Sequence, residues 1–277
     1  MPSFKKRAYN GQEYFLDEKK QVLTLSPQYH YQLLDDTKIM QRFKKFGGSS
    51  IGNIFQTDVF KSPFLAFCFI ARLNLPPLQM KYINAGVALE PKVIEFLQQK
   101  FQNDEIKHIE AAEVGYDYFK NDRIIGGVPD GLIPSRKLVL ELKAVGKKKR
   151  DAWRAGNLPE DYKKQAQLYA YLLGYDYYSI VGTFLEENDY YDYDNVDFEK
   201  QTDMFTFKVN KEMAQDDINE VKKFWTNYTQ LGISPVYRLP RDNDQVEYLK
   251  CHNEEEWREL FNKWKTMGKI DEDINFE

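Results

Sequence analysis

The sequence predicts an α/β (α+β) fold in which helices flank a central mixed β-sheet. Segments with helical and strand periodicity alternate in the order α, β, β, β, α, β between residues 84 and 185. The chain has 277 residues, of which 42% are hydrophobic, so it is long enough to bury a sizeable core. It contains no run of about 18 apolar residues that would indicate a membrane span.

The first 38 residues are polar with scattered tyrosines, and we interpret them as an N-terminal arm that packs on the core or on a partner. The predicted core covers residues 39–185. It opens with the string QRFKKFGGSSIGNIF, whose Gly-Gly-Ser-Ser turn is predicted to start a helix with Ser49 or Ser50 as the N-cap. Exposed backbone amides at such a start would suit a phosphate.

The elements of the predicted core follow from hydrophobic spacing. Residues 84–101 carry apolar positions at helical intervals, which puts Glu90 near the start of an amphipathic helix. Three segments of strand character (106–119, 124–133 and 137–145) are separated by turn signals and are predicted to form an antiparallel meander. A helix at 160–173 and a strand at 177–185 complete the core.

Residues 186–277 are predicted to be a C-terminal part that packs on the same domain. They begin with an acidic, tyrosine-rich segment, residues 186–199, interpreted as a mobile loop. A strand at 204–209 follows. Apolar stripes then predict a long helix at 211–231, ended by Gly232, and a final helix around residues 254–265.

The charge distribution bears on the choice of partner. The formal net charge of −4 at first argues against a nucleic-acid partner, but basic clusters occur at residues 5–7, 44–45 and 147–150. The N-terminus lacks the apolar region of a signal peptide, so a cytoplasmic protein is expected. The two cysteines lack partners at metal-ligand spacing, which makes zinc and iron–sulfur sites improbable.

The main candidate catalytic residues lie in residues 126–145, GGVPDGLIPSRKLVLELKAV. In the strand that begins at Leu138, side chains alternate in direction, so Glu141 and Lys143 point to the same side at the edge of a core. Asp130 lies in a Pro-Asp-Gly turn that would bring its carboxylate against this strand. Two neighbouring carboxylates require a cation, and Mg²⁺ prefers such oxygen ligands. With a lysine beside them, they indicate a phosphodiester hydrolase.

These residues resemble the signature of the PD-(D/E)XK nucleases, with Pro129-Asp130 followed by Glu141-x-Lys143. Glu90 ends a Gly-x-x-x-Glu segment similar to the motif that adds a carboxylate in this family. Gln165 and Tyr169 form a Gln-x-x-x-Tyr that resembles the RecB-type subgroup. The Gly-Gly-Ser-Ser-Ile segment after Arg42 is similar to the opening of the YqaJ and lambda exonuclease branch.

The resemblance implies a restriction-endonuclease-like core and a role for each matched residue. It implies that the metal ligands are Glu90, Asp130, Glu141 and the backbone carbonyl of Leu142. The metal would be Mg²⁺, with Mn²⁺ as a substitute. Lys143 would serve the nucleophilic water. Gln165 and Tyr169 would steady the site. Arg42, Ser49 and Ser50 would contact DNA phosphate.

The same resemblance implies a biological setting. It predicts an end-dependent exonuclease for double-stranded DNA in phage-type recombination or repair, acting as a ring-forming homo-oligomer, with a single-strand annealing protein as a candidate partner. The long N-terminal segment and the unmatched C-terminal third depart from the branch. They leave the oligomeric state and the preference for DNA ends open.

Other interpretations compete with this one. Residues 48–52 fit the Gly-x-Ser-x-Gly pattern of a hydrolase nucleophile, but the preceding QRFKKF is too charged for the required buried strand, and neither His108 nor His252 has a supporting context. Glu141 and Lys143 could form an ordinary surface ion pair, and Glu90 could complement a helix dipole. A site- or structure-specific endonuclease and a catalytically silent DNA-binding protein also remain alternatives.

Overall fold

The computed structural model describes Phe4 and residues 7–276, and the chain divides into two compact units. The first unit contains the chain up to Phe46, together with Ser50–Gln79 and the chain from Val221 onward. The second unit contains Gly47–Ser49 and Met80–Glu220. Residues 5 and 6 of the predicted basic cluster lie outside the described residues.

The regular elements are numbered in chain order. The strands are β1 (Tyr14–Asp17), β2 (Val22–Leu25), β3 (Lys107–His108), β4 (Gly131–Ile133), β5 (Leu138–Gly146), β6 (Tyr177–Leu185) and β7 (Thr202–Lys208). The helices are α1 (Pro27–Leu34), α2 (Gly48–Phe55), α3 (Pro63–Ile70), α4 (Lys81–Lys100), α5 (Arg150–Arg154), α6 (Glu160–Leu172), α7 (Phe198–Gln201), α8 (Lys211–Leu231), α9 (Asn243–Lys250) and α10 (Glu254–Thr266).

The second unit is built on a mixed five-stranded sheet in the order β3-β4-β5-β6-β7. β5 and β6 run parallel, whereas β3, β4 and β7 pair antiparallel with their neighbours. β5 and β6 are the longest of these strands and lie at the centre, where most of their residues, in the sequences LVLELKAVG and YYSIVGTFL, are buried. The predicted central mixed sheet is thus confirmed.

Each face of this sheet carries a helix. The apolar stripe of α4 packs against one face, where it meets Leu138, Leu140 and Val181. The buried side of α6 packs against the other face, around Val139 and Ile180. The alternation of β5 side chains between the two faces is the one that the sequence predicted. Burial of both sheet faces supplies the main apolar stabilisation of this unit.

Two of the predicted strands are much shorter than expected. The segment predicted at 106–119 retains only β3, and the segment at 124–133 retains only β4. Between them, the carboxylate of Asp122 accepts from the backbone N–H groups of Ile124 and Ile125, both at 2.8 Å, and Asp117 accepts from that of Phe119 at 3.1 Å. Aspartates that bind nearby backbone amides favour turns over strands.

The first unit contains regular structure in the segment that the sequence predicted to be an arm. β1 and β2 form an antiparallel hairpin, followed by α1. The Tyr14 hydroxyl donates to the carbonyl of Leu249 at 2.9 Å, so the hairpin packs against α9 within this unit. The boundaries of the two units therefore do not coincide with the predicted boundaries after residues 38 and 185. No helix among the described residues is long and apolar enough to cross a membrane.

The acidic segment 186–199, predicted to be a loop, contains short helical turns. It contains 3₁₀ turns at Asn188–Tyr190 and Tyr193–Asn195. Ion pairs join it to lysines along α4, and these pairs are Lys81–Glu187, Lys92–Asp194 and Lys100–Glu199. Exposed pairs of this kind contribute about 1 kcal/mol or less each, but three in a row fix the path of the segment along the helix.

Candidate active site

The candidate site lies where β4 ends while β5 continues. β4 pairs only with Leu138–Leu140 of β5, so Glu141 and the residues after it have no strand partner on that side within the described part of the chain. Asp130 immediately precedes β4 and fills this gap. Its Oδ2 accepts a hydrogen bond from the backbone N–H of Leu142 at 2.7 Å. The predicted approach of the Asp130 carboxylate to the Glu-x-Lys strand is therefore present.

Glu141 and Lys143 form a buried ion pair. The side chain of Glu141 is fully buried, and its Oε1 accepts from Lys143 Nζ at 2.5 Å. Its second oxygen, Oε2, is also buried but finds no hydrogen-bond partner among the described residues. The ammonium of Lys143 lies 4.9 Å from the centre of the Tyr162 ring. A buried carboxylate oxygen without a donor is costly, and such groups mark sites that bind something further.

The charges in this cluster perturb one another. Burial, and then the charge of Glu141, raises the pKa of Asp130 well above its usual range. Burial also raises the pKa of Glu141, although the nearby Lys143 opposes that change. For Lys143, burial lowers the pKa, but the attraction of Glu141 and Asp130 outweighs burial, and the pKa is raised. The amine is thus held as an ammonium beside two carboxyl groups that resist simultaneous ionisation.

Glu90, on α4, lines a cavity together with Asp130, Glu141 and Lys143. Its Oε1 binds Nε2 of His108 at 2.8 Å. His108 belongs to β3 and pairs with Gly131, the residue after Asp130, which explains why the histidine reaches the site. The cavity has a volume of about 260 Å³, and its polar lining consists of Glu90, Asp130, Glu141, Lys143, Gln165 and Thr183. Glu90 is therefore brought to Asp130 and Glu141.

Gln165 and Tyr169 lie one turn apart on α6, and both are buried. Gln165 lines the cavity, whereas the Tyr169 hydroxyl accepts from the backbone N–H of Gly48 at 2.9 Å. A Cβ at Gly48 would lie 2.3 Å from the Gln165 side chain, and one at Gly127 would lie 2.2 Å from the Tyr169 hydroxyl. Only glycine fits at these two positions, so both side chains are clamped between backbone segments.

Three predicted DNA-contact residues fall outside this cluster. Arg42 belongs to the first unit, where its side chain lies 3.6 Å from the Asp36 carboxylate. The prediction that Ser49 or Ser50 caps a helix is wrong, because α2 begins at Gly48 and both serines lie in its first turn. The amide of Gly48 is already bound to Tyr169, so it cannot serve an incoming phosphate. Ser50 is buried and Ser49 is exposed.

Some residues of the site, among them His108 and Tyr162, were not predicted from the sequence. His108 has no local signal, because only the pairing of β3 with β4 places it beside Glu90. Tyr162 lies at the start of α6, three residues before Gln165, and contacts Lys143. Helical spacing puts Tyr162 and Gln165 on one side of α6, so this signal is present in the sequence.

The donors present suit a hard cation. Among the described residues, no group of three or more His, Cys, Asp or Glu side chains has the arrangement of a formed metal site. One oxygen of each carboxylate at the site instead binds His108, Lys143 or the Leu142 amide. The N–H and carbonyl of a strand residue point to the same side, so the Leu142 carbonyl faces the Asp130 side of β5. Together with the unpartnered Oε2 of Glu141, these oxygen donors fit Mg²⁺ or Mn²⁺.

Comparison with known proteins places the fold. No family model matches the sequence. The chain is 26% identical over 89 residues to an uncharacterized protein of Mycoplasma genitalium, a match that covers 32% of this chain and 31% of that protein. The chain thus spans about a third of the length of this curated relative.

Two solved structures resemble the chain more extensively. An alkaline exonuclease from Laribacter hongkongensis matches with a TM-score of 0.50 at 14% identity, over 70% of this chain and 92% of that one. A phage-related exonuclease from Haemophilus somnus 129PT matches with a TM-score of 0.48 at 18% identity, over 68% and 95%. At such identities the likeness to the Laribacter protein concerns the fold, and it agrees with the central mixed sheet flanked by helices that the sequence predicted.

Proposed function

We propose that this chain is a metal-dependent DNA nuclease of the PD-(D/E)XK type. The observation that carries the proposal is the cluster of Asp130, Glu141 and Lys143, in which a fully buried carboxylate has one oxygen without a partner. Burial and the charge of Glu141 raise the pKa of Asp130, and burial raises the pKa of Glu141, so both carboxyl groups favour the binding of a cation. The name of the Laribacter exonuclease, whose fold the chain shares, agrees with this assignment.

Each residue has a distinct role in the proposed reaction. Glu90, Asp130, Glu141 and the Leu142 carbonyl would hold Mg²⁺ or Mn²⁺, which when bound lowers the pKa of a water molecule and polarises the phosphate. The Lys143 ammonium stays charged because of Glu141 and Asp130, so it would orient the attacking water and stabilise charge on the phosphate. His108 holds Glu90 at the cavity. Gln165 and Tyr169 keep α6 against the site.

We further assign the substrate as double-stranded DNA that is digested from an end, in phage-type recombination or repair. The proposed oligomer is a homo-oligomeric ring, and the proposed partner is a single-strand annealing protein. These finer assignments rest on the motif resemblance of residues 42–184. An endonuclease is the second candidate, because the same cluster would cut either an end or an internal bond.

The test is digestion of linear and covalently closed double-stranded DNA of identical sequence with Mg²⁺. Loss of the linear DNA alone, abolished by EDTA, is the expected result and establishes end-dependent cleavage. Cutting of the closed circle would support the endonuclease. Survival of both DNAs, with Mn²⁺ as well as Mg²⁺, would refute the proposed activity.

A further inference from the structure

A second, larger cavity adjoins the candidate active site. It has a volume of about 1010 Å³, and Tyr82 and Ala144 line both cavities, so the two lie side by side. Its floor is the end of β5 and the turn that follows, Lys147–Lys149. We call this second cavity the lysine groove. Lys147 lies four residues beyond Lys143, so at about 3.3 Å per strand residue the turn that carries the lysines of the groove begins about 13 Å from the candidate catalytic lysine.

The cations of the lysine groove are only partly neutralised. Lys147 pairs with Glu186, and Glu187, a second carboxylate of the wall, pairs with Lys81. Lys148 and Lys149 are exposed in a 3₁₀ turn, and neither has an acidic partner in the described part of the chain. Asp151 also lines the groove, but among the described residues no ion pair joins it to Lys148 or Lys149. Lysines without a paired carboxylate attract anions, and the backbone of DNA supplies regularly spaced ones.

Aromatic rings line the same groove. Tyr82 is 57% exposed at the junction of the two cavities, and its ring packs edge-on against that of Tyr190, with centres 5.5 Å apart. Tyr162 lines the groove and also lies against the Lys143 ammonium. Grooves that combine cations with exposed aromatic rings are typical of single-strand binding, because unpaired bases stack on the rings. A base-paired duplex keeps its base faces covered.

We propose that the lysine groove binds a single strand of DNA next to the bond that is cleaved, with Lys148 and Lys149 on its phosphates and Tyr82 against a base. This inference rests on the proposed nuclease function and deepens it.

The experiment measures binding of the full chain to a fluorescent 15-nucleotide single strand and to a blunt duplex, in EDTA, at several salt concentrations. The double variant Lys148→Ala/Lys149→Ala is compared with Lys107→Ala/Lys208→Ala. The control lysines are also exposed. They pair with Leu132 and Tyr177, at the end of the sheet opposite to Leu185, which lines the groove.

Removal of two phosphate contacts is expected to reduce the slope of log K against log salt by about 1.4 for the single strand, since each contact contributes about 0.7. The control variant should keep the wild-type slope. Tyr82→Ala should weaken single-strand binding by about fivefold or more without changing that slope, because it removes stacking and no charge. These results together would support the binding of a single strand of DNA in the lysine groove.

An unchanged slope in Lys148→Ala/Lys149→Ala would overturn the inference. The inference would also be overturned if the slope fell equally in the control variant, or if it fell equally for the blunt duplex. Either result would indicate a general attraction between DNA and positive charge rather than a groove that binds a single strand. Cleavage by the wild type is measured in parallel with Mg²⁺. If the wild type cleaves linear DNA but the slope does not change, only the groove is refuted. If the slope changes but no DNA is cleaved, only the nuclease activity is refuted.

Discussion

The substitution Asp130→Asn tests the electrostatics of the site without changing its shape. Asparagine keeps an oxygen that can accept from the Leu142 amide, so the 2.7 Å hydrogen bond can persist while the charge is removed. In the native protein, burial and the charge of Glu141 raise the pKa of Asp130 well above its value in an unfolded chain, about 3.9. The ionised carboxylate therefore destabilises the native protein when no metal is bound.

The size and pH dependence follow from proton linkage. Between the unfolded and folded pKa values of Asp130, the native state binds the proton more tightly than the unfolded state does, so stability falls as pH rises. Each unit by which the pKa is raised corresponds to about 1.4 kcal/mol. We expect Asp130→Asn to increase the free energy of unfolding by about 1.4 kcal/mol or more at pH 7.5. This corresponds to about 3 °C or more in Tm, and the gain should shrink toward pH 4.5.

Thermal unfolding in EDTA at the two pH values measures this effect. Asp203→Asn is the matched control, because Arg150 and Arg154 both bind Asp203 and hold its pKa well below the usual range. Its charge stabilises the fold above the unfolded pKa, so removing that charge should lower Tm at pH 7.5. Mg²⁺ at a hundredfold excess over its Kd should stabilise the wild type by about 2.7 kcal/mol and Asp130→Asn by less. A lower Tm for Asp130→Asn at pH 7.5 would refute the reasoning.

Three further predictions concern the surroundings of the cluster. Lys143→Ala should reduce cleavage of linear DNA by about a hundredfold or more, because the ammonium that serves the water and phosphate is lost, while circular dichroism shows a retained fold. Gly127→Ala should lower stability by about 1–3 kcal/mol in urea unfolding, because the backbone has φ +110° and the new Cβ would lie 2.2 Å from the Tyr169 hydroxyl. His108→Ala should weaken Mn²⁺ binding about tenfold in calorimetry, since Glu90 loses the partner that orients it.

For each of these three predictions, one experimental result would contradict the reasoning. Near-wild-type cleavage by Lys143→Ala would remove the role given to that lysine. Gly156→Ala is the control for Gly127→Ala, because it has φ +93° but open space around the Cβ. An equal loss of stability in both would assign the effect to the backbone rather than to Tyr169. Unchanged Mn²⁺ affinity in His108→Ala would mean that the Glu90–His108 contact does not position a ligand.

The sequence is informative where a pattern is local and repeated. The period-two alternation of β5 alone predicts that Glu141 and Lys143 lie on one side. The helical spacing of residues 84–101 predicts that Glu90 lies on an amphipathic helix, but its predicted place near the helix start is wrong, because α4 begins at Lys81 and Glu90 lies in its middle. Asp130 is predictable because a Pro-Asp-Gly turn and a neighbouring strand leave few places for its carboxylate. These three carboxylates do line one cavity with Lys143.

Features that depend on distant pairing are not predictable in this way. His108 lies at the site only because β3 pairs with β4. Aspartates in the 22 residues between these two strands turn the chain, and the alternating pattern of residues 106–133 does not reveal those turns. The hairpin of β1 and β2 packs with α9, more than 200 residues away, and no local pattern encodes such a contact. The start of α2 at Gly48 depends on Tyr169, which lies 121 residues later.

The substitution Glu141→Gln tests most directly whether this cluster is the active site. It keeps the shape of a fully buried side chain and removes the charge that would bind the metal. The measurement is the single-turnover rate of cleavage of linear duplex DNA with Mg²⁺, with circular dichroism as the check on folding. A metal site supplies several kcal/mol to such a reaction, so we expect the rate to fall by about a thousandfold. A folded Glu141→Gln protein that cleaves at the wild-type rate would contradict the assignment.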